Sequence, residues 1–336
     1  MIDITELTDR IYDVVMTHRT EKDGEFARWL WQDEEGEREL GANAYGCADA
    51  VNILYTIGRL DTGYEMKQKL ICGINKFQNP ESGLFLEKTH HPMHTTAHCV
   101  AALELLDAKP EYELTELKKY KDKNELYRLL DGLDWGKRPW PESHKGAGIY
   151  AALVLAGEAD SEWEDWYFDW FNKNADEETG LWKKGYAKPH QWGEFFSMFP
   201  NLAAAFHYIF NHEYAKRPLM YPEKIIDTAL DIYYSNSWGR LKCYVDFADV
   251  DWIYCVNRAT RQTAHRFDEC KRVMREYAKE YIEYLYSVDS KTDDRFNDLH
   301  MLFGAVCALA ELAQAVPGEI KTKKPLRLVL DRRPFI

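Results

Sequence analysis

A cluster of histidines is the first group in this sequence whose residue types and spacing suggest chemistry. The segment from Thr89 to His98 reads THHPMHTTAH and contains His90, His91, His94 and His98. His94 and His98 are four residues apart and therefore share one face of a helix. Imidazoles at this spacing suit a zinc or other transition-metal site completed by a carboxylate. The alternative, which we favour, is that they hydrogen-bond neighbouring groups and substrate hydroxyls, with no metal and no cofactor.

Carboxylates form the second candidate group. Asp49 stands about one turn inside the apolar segment AYGCADAVNILYTIG, which starts at Ala44. A helix cap cannot explain a carboxylate at this depth, and its burial is costly unless it serves a purpose. At a helix start, by contrast, a carboxylate such as Asp249 is often only a cap. The candidate catalytic residues are Asp49, His94, Glu194, Asp249 and Asp251.

Aromatic and further polar residues lie close to the same segment starts. Sugars pack their apolar C–H faces on aromatic rings, and their hydroxyls bind carboxylates and imidazoles. The candidate substrate-binding residues are Tyr45, His91, Trp140, His144, Trp192, Trp252, Arg258 and His300. This inventory fits carbohydrate processing best.

Two reactions on carbohydrates remain open. Glycoside hydrolysis needs one carboxyl group that donates a proton and a second that acts as base or nucleophile. The sequence does not show which of the candidate carboxylates form such a pair. A β-elimination lyase would use Tyr or His as base and His or Arg against a uronate, roles open to Tyr45, His94, His144 and Arg258.

The elements that must position these residues repeat along the chain. Ala-rich apolar segments start at residues 44, 94, 143, 197, 248 and 298, which gives intervals of 50, 49, 54, 51 and 50 residues. A regular period of this size predicts stacked helical units that share one core. Charged amphipathic segments alternate with the apolar ones, at 4–17, 63–78, 113–133, 161–175, 221–238 and 266–287. Because amphipathic helices keep a wet face, this alternation predicts six inner and six outer helices.

The connections between the predicted helices differ in length at the two ends. Those that lead from an outer to an inner helix are generally the longer ones, at 18–43, 79–93, 134–142, 176–196, 239–247 and 288–297. Long loops in a compact domain usually carry function. We therefore expect the site at the end where the inner helices begin.

Two turns resemble those of a known superfold. The segments 78–85 (QNPESGLF) and 176–182 (DEETGLW) both end an outer helix with Gly-Leu-aromatic. They resemble turns of the (α/α)6 toroid glycosidases and polysaccharide lyases, and also the Gln…Gly-x-Trp repeats of terpenoid cyclases. No single family within this group is indicated. A superfold hosts many chemistries, so the resemblance bears on fold rather than activity.

The resemblance implies an all-α protein whose residues 1–316 form one (α/α)6 toroid domain. Residues 317–336, which are basic and contain proline, are expected to form a surface extension with a short strand at LRLVL (326–330). Cyclases carry an Asp-x-Asp-Asp motif, which Asp249-Val250-Asp251-Trp252 resembles except that Trp252 replaces the last Asp. A terpenoid-cyclase-like enzyme and a non-catalytic saccharide-binding toroid therefore remain alternatives.

Composition and the absence of targeting features restrict the expected binding partners and cellular location. A net charge of −13 works against nucleic acid and anionic membranes as partners, because both bind basic surfaces. The N-terminal segment MIDITELTDR has no signal-peptide features, and no apolar run is long enough for a membrane span. The seven cysteines are scattered and odd in number, which suits a reducing compartment. We predict a cytoplasmic glycoside hydrolase with a small saccharide substrate, and we make no prediction of its oligomeric state.

Overall fold

The computed structural model describes residues 1–61, 63–183, 185–192, 195–236 and 246–336. This part of the chain is mostly helical, which confirms the all-α class. The helices are α1 (Thr5–Thr17), α2 (Ala44–Thr56), α3 (Tyr64–Asn75), α4 (Pro92–Leu105), α5 (Lys123–Gly132), α6 (Pro139–Ala156), α7 (Ser161–Lys173), α8 (Phe199–Ala215), α9 (Pro222–Ser235), α10 (Phe247–Ala259), α11 (Phe267–Ser287), α12 (Asp294–Asn297), α13 (Leu299–Ala315) and α14 (Val329–Arg332). A 3-10 helix spans Thr115–Lys121. No helix in the described part is both long and apolar enough to cross a membrane.

Short strands account for the remaining regular structure of the described residues. Strand β1 (Ile2–Asp3) pairs in parallel with β4 (Ile320–Lys321). Strands β2 (His190–Trp192) and β3 (Phe195–Ser197) form an antiparallel pair immediately before α8. Each of the two sheets in the described ranges therefore has only two strands.

The six apolar segments form α2, α4, α6, α8, α10 and α13, and these helices pack against one another in cyclic order. Each contacts the next, and α13 contacts α2. These helices are buried on nearly all sides, and alanine pairs such as Ala101-Ala102 and Ala151-Ala152 are fully buried within them. Small side chains allow neighbouring helices to approach closely, which explains the Ala-rich sequence. The amphipathic helices α1, α3, α5, α7, α9 and α11 keep one exposed face.

The two Gly-Leu-aromatic turns behave as their sequences predict. Gly83 and Gly180 both have a φ of +75°. A Cβ atom at Gly83 would lie only 1.9 Å from the carbonyl oxygen of Glu113, so no other residue fits there. Phe85 follows the first turn and is fully buried, and its backbone N–H donates to Thr96 Oγ1 of α4 at 2.9 Å. The turn thereby fixes the loop that leads into the histidine cluster.

The prediction for the C-terminal segment is wrong in its second half. Residues 317–328 are largely exposed, as expected of a surface extension, but residues 329–336 are mostly buried. Their apolar side chains and the guanidinium of Arg333 are at most 2 % exposed. LRLVL does not form a strand, because its last residues begin α14, which packs against α2 and α8. The one-domain organisation of residues 1–316 stays a prediction.

Candidate functional site

A cavity of about 100 Å³ lies where the apolar helices begin, which is the end that carries the long loops. Its lining residues come from the loop before α4 and from α4, α6, α8, α10, α13 and the C-terminal segment. They are His90, His94, Trp140, His144, His207, Phe247, Asp251, His300 and Ile336. The first turns of the helices position most of these side chains. Imidazoles dominate the cavity wall.

Asp49 of α2 connects two of the neighbouring helices behind the cavity. Its Oδ1 accepts a hydrogen bond from His98 Nε2 of α4 at 2.7 Å, and its Oδ2 accepts one from His300 Nδ1 of α13 at 3.0 Å. All three side chains are buried. Burial alone would raise the pKa of Asp49, but the two imidazoles outweigh it and hold that pKa well below its usual range. Asp49 is therefore ionised at neutral pH.

His300 is the member of this group that reaches the cavity. Because its Nδ1–H donates to Asp49, its Nε2 keeps a free lone pair in the neutral ring. Burial lowers the pKa of His300 to about 3, against the opposing effect of Asp49. The imidazole is thus neutral at pH 7 and is oriented by a carboxylate. This arrangement is that of a general base or a hydrogen-bond acceptor.

His94 presents the opposite hydrogen-bonding character. Burial keeps the pKa of Tyr45 well above its usual value, so its hydroxyl stays protonated, and we assign it as the donor in its short hydrogen bond with His94 Nδ1. Burial, and then the neighbouring histidines, hold the pKa of His94 well below its usual value. The neutral ring therefore carries its proton on Nε2, where it is a donor. Tyr45 also stacks on His90 and His98, with ring centroids 4.6 and 4.9 Å apart.

His207 is a second acceptor and lies about two turns from the start of α8. Its Nδ1–H donates to the carbonyl oxygen of Ala203 at 3.1 Å, and Ser143 Oγ lies 3.0 Å from the same nitrogen. Ser143 donates its own proton to Trp140 O, so it accepts from the ring. Nε2 is consequently the unprotonated nitrogen. Burial lowers the pKa of His207 to about 3.

Asp251 of α10 is the one acidic side chain among the described lining residues. It is 1 % exposed, and its Oδ2 has no hydrogen-bond partner in the described part of the chain. Burial raises its pKa well above the usual value, and Asp246 and Asp249 raise it further. Asp251 is therefore protonated at neutral pH and can donate a proton or a hydrogen bond to a ligand.

The cavity wall thus offers both donors and acceptors but little charge. His94 and Asp251 supply protons, and His207 and His300 supply lone pairs, as derived above. No Lys or Arg is among the described residues that line the cavity. Hydroxyl groups, which each donate and accept, match such a wall better than carboxylates or phosphates do.

Four predicted site residues lie away from the cavity. Trp252 is fully buried, donates Nε1–H to Ala229 O at 2.8 Å and stacks on aromatic residues of α9 and α11, so it cannot serve as a sugar platform. Asp249 accepts a hydrogen bond from Tyr277 of α11. Successive residues of an α-helix are about 100° apart around its axis. Asp249 and Trp252 therefore lie on different faces of α10 from Asp251, and their side chains point away from the cavity.

The other two displaced residues have structural roles. Arg258 is fully buried near the opposite end of α10, where it forms ion pairs with Glu311 and Asp331. It therefore cannot neutralise a substrate in this cavity. His91 is exposed, and its ring accepts a hydrogen bond from Met93 N at 3.2 Å as the N-cap of α4.

The remaining predicted residues divide between the cavity and the undescribed positions. Trp140 lines the cavity and packs edge-on against Phe199, with ring centroids 5.7 Å apart. His144 is half-buried at the wall, with its ring 4.4 Å from that of His94. Glu194 lies outside the described residues, and so does the side chain of Trp192, whose backbone belongs to β2.

One group of side chains has the spacing of a metal site. Ligand atoms of Asp49, His98 and His300 all lie within 4.8 Å of one another, the one such group among the described residues. It contains one member of the predicted histidine cluster, together with the carboxylate that a zinc site would need. A bound metal would replace both N–H···O hydrogen bonds to Asp49. These residues consequently have two alternative roles, which chelation can distinguish.

Sequence reasoning missed three contributors to the cavity wall. His207 sits in the apolar segment NLAAAFHYIF, and an isolated histidine on an inner helix was the available signal. Phe247 is the last residue of the predicted loop 239–247 and the first residue of α10. Ile336 had no local signal, because its position depends on where the C-terminal segment packs.

The chain matches no protein-family model, no curated protein and no solved structure in the comparisons made.

Proposed function

We propose that this chain is an (α/α)6 toroid enzyme that hydrolyses a glycosidic bond in a small, neutral saccharide. The cyclic order of contacts among α2, α4, α6, α8, α10 and α13 supports the toroid arrangement. The described part of the chain contains six free cysteines, which supports a cytoplasmic location. The proposed substrate is a saccharide because the cavity wall matches hydroxyl groups.

The observation that carries the proposal is the opposite ionisation of two carboxyl groups. Asp251 is held neutral by burial, whereas Asp49 is held ionised by two imidazoles. Divergent pKa values in one site are how acid and base roles are divided between similar residues. Asp251 is accordingly the general acid. The base is His300, with Asp49 as the positioning residue that fixes its tautomer.

The proposed reaction is a single displacement. Asp251 donates its proton to the glycosidic oxygen as the bond from that oxygen to the anomeric carbon breaks. Water attacks the anomeric carbon and loses a proton to Nε2 of His300, whose positive charge Asp49 stabilises. The proton on His300 then returns through solvent to Asp251. Because water attacks directly, the configuration at the anomeric carbon is inverted.

The lyase alternative is less well supported by the described residues. Elimination from a uronate needs a positive charge beside the carboxylate, and no Lys or Arg lines the described cavity. Burial also lowers the pKa values of His94 and His144, so these rings are neutral. Tyr45 keeps its proton and donates it to His94, which makes it a poor base. A terpenoid substrate fits less well still, because imidazoles dominate the wall.

A panel of neutral and uronic oligosaccharides tests the proposal. We expect the protein to cleave a neutral substrate without forming the new C=C bond that makes elimination products absorb in the ultraviolet. Asp251→Asn and His300→Gln should each remove turnover while the proteins stay folded. Asp249→Asn is the matched control, because it removes a buried carboxylate two residues from Asp251 but outside the cavity. Wild-type rates in the first two variants, or ultraviolet-absorbing products, would overturn the assignment.

A further inference from the structure

The C-terminal segment occupies the space between the apolar helices. Helix α14 contacts α2 and α8, which are three steps apart in the cyclic order of these helices. Arg333 packs over Phe303 of α13, with its guanidinium carbon 5.1 Å from the ring centroid. The segment therefore crosses the middle of the helical assembly instead of following its outside.

The attachments of this segment show the end at which it enters. Arg327 N donates to the carbonyl oxygen of Thr56 at 2.8 Å, at the last residue of α2. Arg332 forms an ion pair with Glu104 near the end of α4, and Asp331 forms one with Arg258 near the end of α10. All three attachments are at helix C-termini, whereas the cavity is at the N-termini. From the attachments onward, the segment runs towards the cavity.

Ile336 lines the cavity on the side from which the C-terminal segment approaches, and Phe335 packs behind the wall against His94. Phe335 is fully buried, with its ring centroid 5.0 Å from that of His94 and 5.8 Å from that of Phe210. Ile336 is 2 % exposed and lines the cavity directly. The side chains of Phe335 and Ile336 therefore supply an apolar floor on the side of the C-terminal segment.

We infer that Phe335 and Ile336 set the depth of the cavity and restrict it to the terminal sugar unit of a saccharide. This inference rests on the proposed function. The volume of about 100 Å³ is well below the ~300–1,000 Å³ of typical ligand pockets, so a longer chain has no room beneath the first unit. The enzyme therefore releases single sugar units from a chain end. Phe335 and Ile336 are specificity-determining residues and take no part in the chemistry.

The first test compares products from neutral oligosaccharides of increasing length. We expect the wild-type protein to release only monosaccharide from the start of the reaction, and Ile336→Gly to release disaccharide as well. Leu326→Ala is the matched control, because this residue lies in the same segment but does not line the cavity. Early release of longer fragments by the wild type, or identical products from wild type and Ile336→Gly, would overturn the inference while leaving hydrolysis intact.

The second test does not depend on activity. Diethyl pyrocarbonate modifies neutral imidazoles, and modification of His90 and His144 at the cavity wall is followed by peptide mass spectrometry. Ile336→Trp should fill the cavity and slow modification of both residues at least several-fold, whereas Leu326→Trp should not.

Circular dichroism and Tm verify that each variant is folded, and Ile336→Phe replaces Ile336→Trp if the latter is not. Equal rates in the folded variants, or no modification in the wild type, would overturn the role of the floor. Hydrolysis of no saccharide by the wild type would overturn the proposed function and the release of single sugar units with it, whereas the modification rates would still decide whether Ile336 limits the cavity.

Discussion

The carboxylate of Asp49 lies 3.0 Å from Nδ1 of His300, although 251 positions separate the two residues in the chain. Asp49 is on the first apolar helix and His300 on the last. Their hydrogen bond therefore joins the two ends of the helical repeat at the site where the proposed chemistry takes place. The same carboxylate also binds His98 on the second apolar helix.

Replacing Asp49 with Asn should lower kcat by ~10²–10⁴-fold, because the neutral amide cannot stabilise a charged His300. The amide also leaves one of the two imidazole N–H groups without an acceptor, which should reduce the free energy of unfolding by ~1–3 kcal/mol. Initial rates and urea unfolding measure the two effects. An unchanged kcat in a folded Asp49→Asn protein would contradict the positioning role.

Asp251→Asn should stabilise the protein at neutral pH while abolishing turnover. The folded state raises the pKa of Asp251, so the unfolded chain loses its proton first as the pH rises. Stability therefore falls with rising pH above the unfolded pKa of about 3.9. Asn carries no such cost, so its gain in Tm should be present at neutral pH and vanish in acid. An Asp251→Asn protein with a lower Tm at neutral pH would contradict the assignment of a neutral carboxyl.

The buried histidines should make the protein sensitive to acid. Burial lowers the pKa values of His207 and His300 to about 3, so below about pH 6.5 the unfolded chain binds protons that the folded chain excludes. Each such group costs ~1.4 kcal/mol of stability per pH unit in that range. His207→Gln should flatten the decline in urea unfolding experiments, whereas His91→Asn should flatten it less, because burial lowers the pKa of this cap residue to a smaller extent. Equal pH dependence of all three proteins would refute this explanation.

Tyr45→Phe should lower kcat/KM by ~10-fold, the approximate value of one lost hydrogen bond of ~1.4 kcal/mol. The substitution keeps the aromatic stack on His90 and His98 but removes the donor that sets the tautomer of His94. Tyr150→Phe is a matched control, because the hydroxyl of Tyr150 donates to Glu164 away from the cavity. Equal losses of kcat/KM in both variants would indicate a general packing effect.

Extensive dialysis against a chelator should leave turnover intact, because the proposed reaction uses Asp49 and His300 as a hydrogen-bonded pair. Metal analysis before and after dialysis checks that the treatment was effective. If chelation abolished turnover and zinc restored it, Asp49, His98 and His300 would instead be ligands of a catalytic metal.

The sequence patterns are sufficient to predict the helices and part of the candidate site. Segment periodicity predicts all twelve main helices, because an apolar or amphipathic stripe is a local property. Asp49, His94, His144, Asp251 and His300 were predicted at helix starts and are brought together in or beside the cavity. Trp252 and Arg258 were misplaced because a helix that is apolar all round does not show which of its faces points inward.

The C-terminal segment shows the other limit of sequence reasoning. Its charged first half suggested a surface position, and eight residues are too few for a clear hydrophobic period. Burial of Phe335 and Ile336 depends on a space that exists only once the apolar helices have assembled. His207 was missed for a related reason, since an isolated histidine in a core helix usually only completes a local hydrogen bond.

The contact between α13 and α2 also bears on how the protein unfolds. In an open array of helical repeats, the outermost repeats have one neighbour each and can fray before the interior does. Here the first and last repeats support each other, so each of the six has a neighbour on both sides. Loss of any one repeat would expose the edges of two others. Denaturation should therefore be a single cooperative transition, with the Asp49–His300 hydrogen bond lost at the same denaturant concentration as the helices.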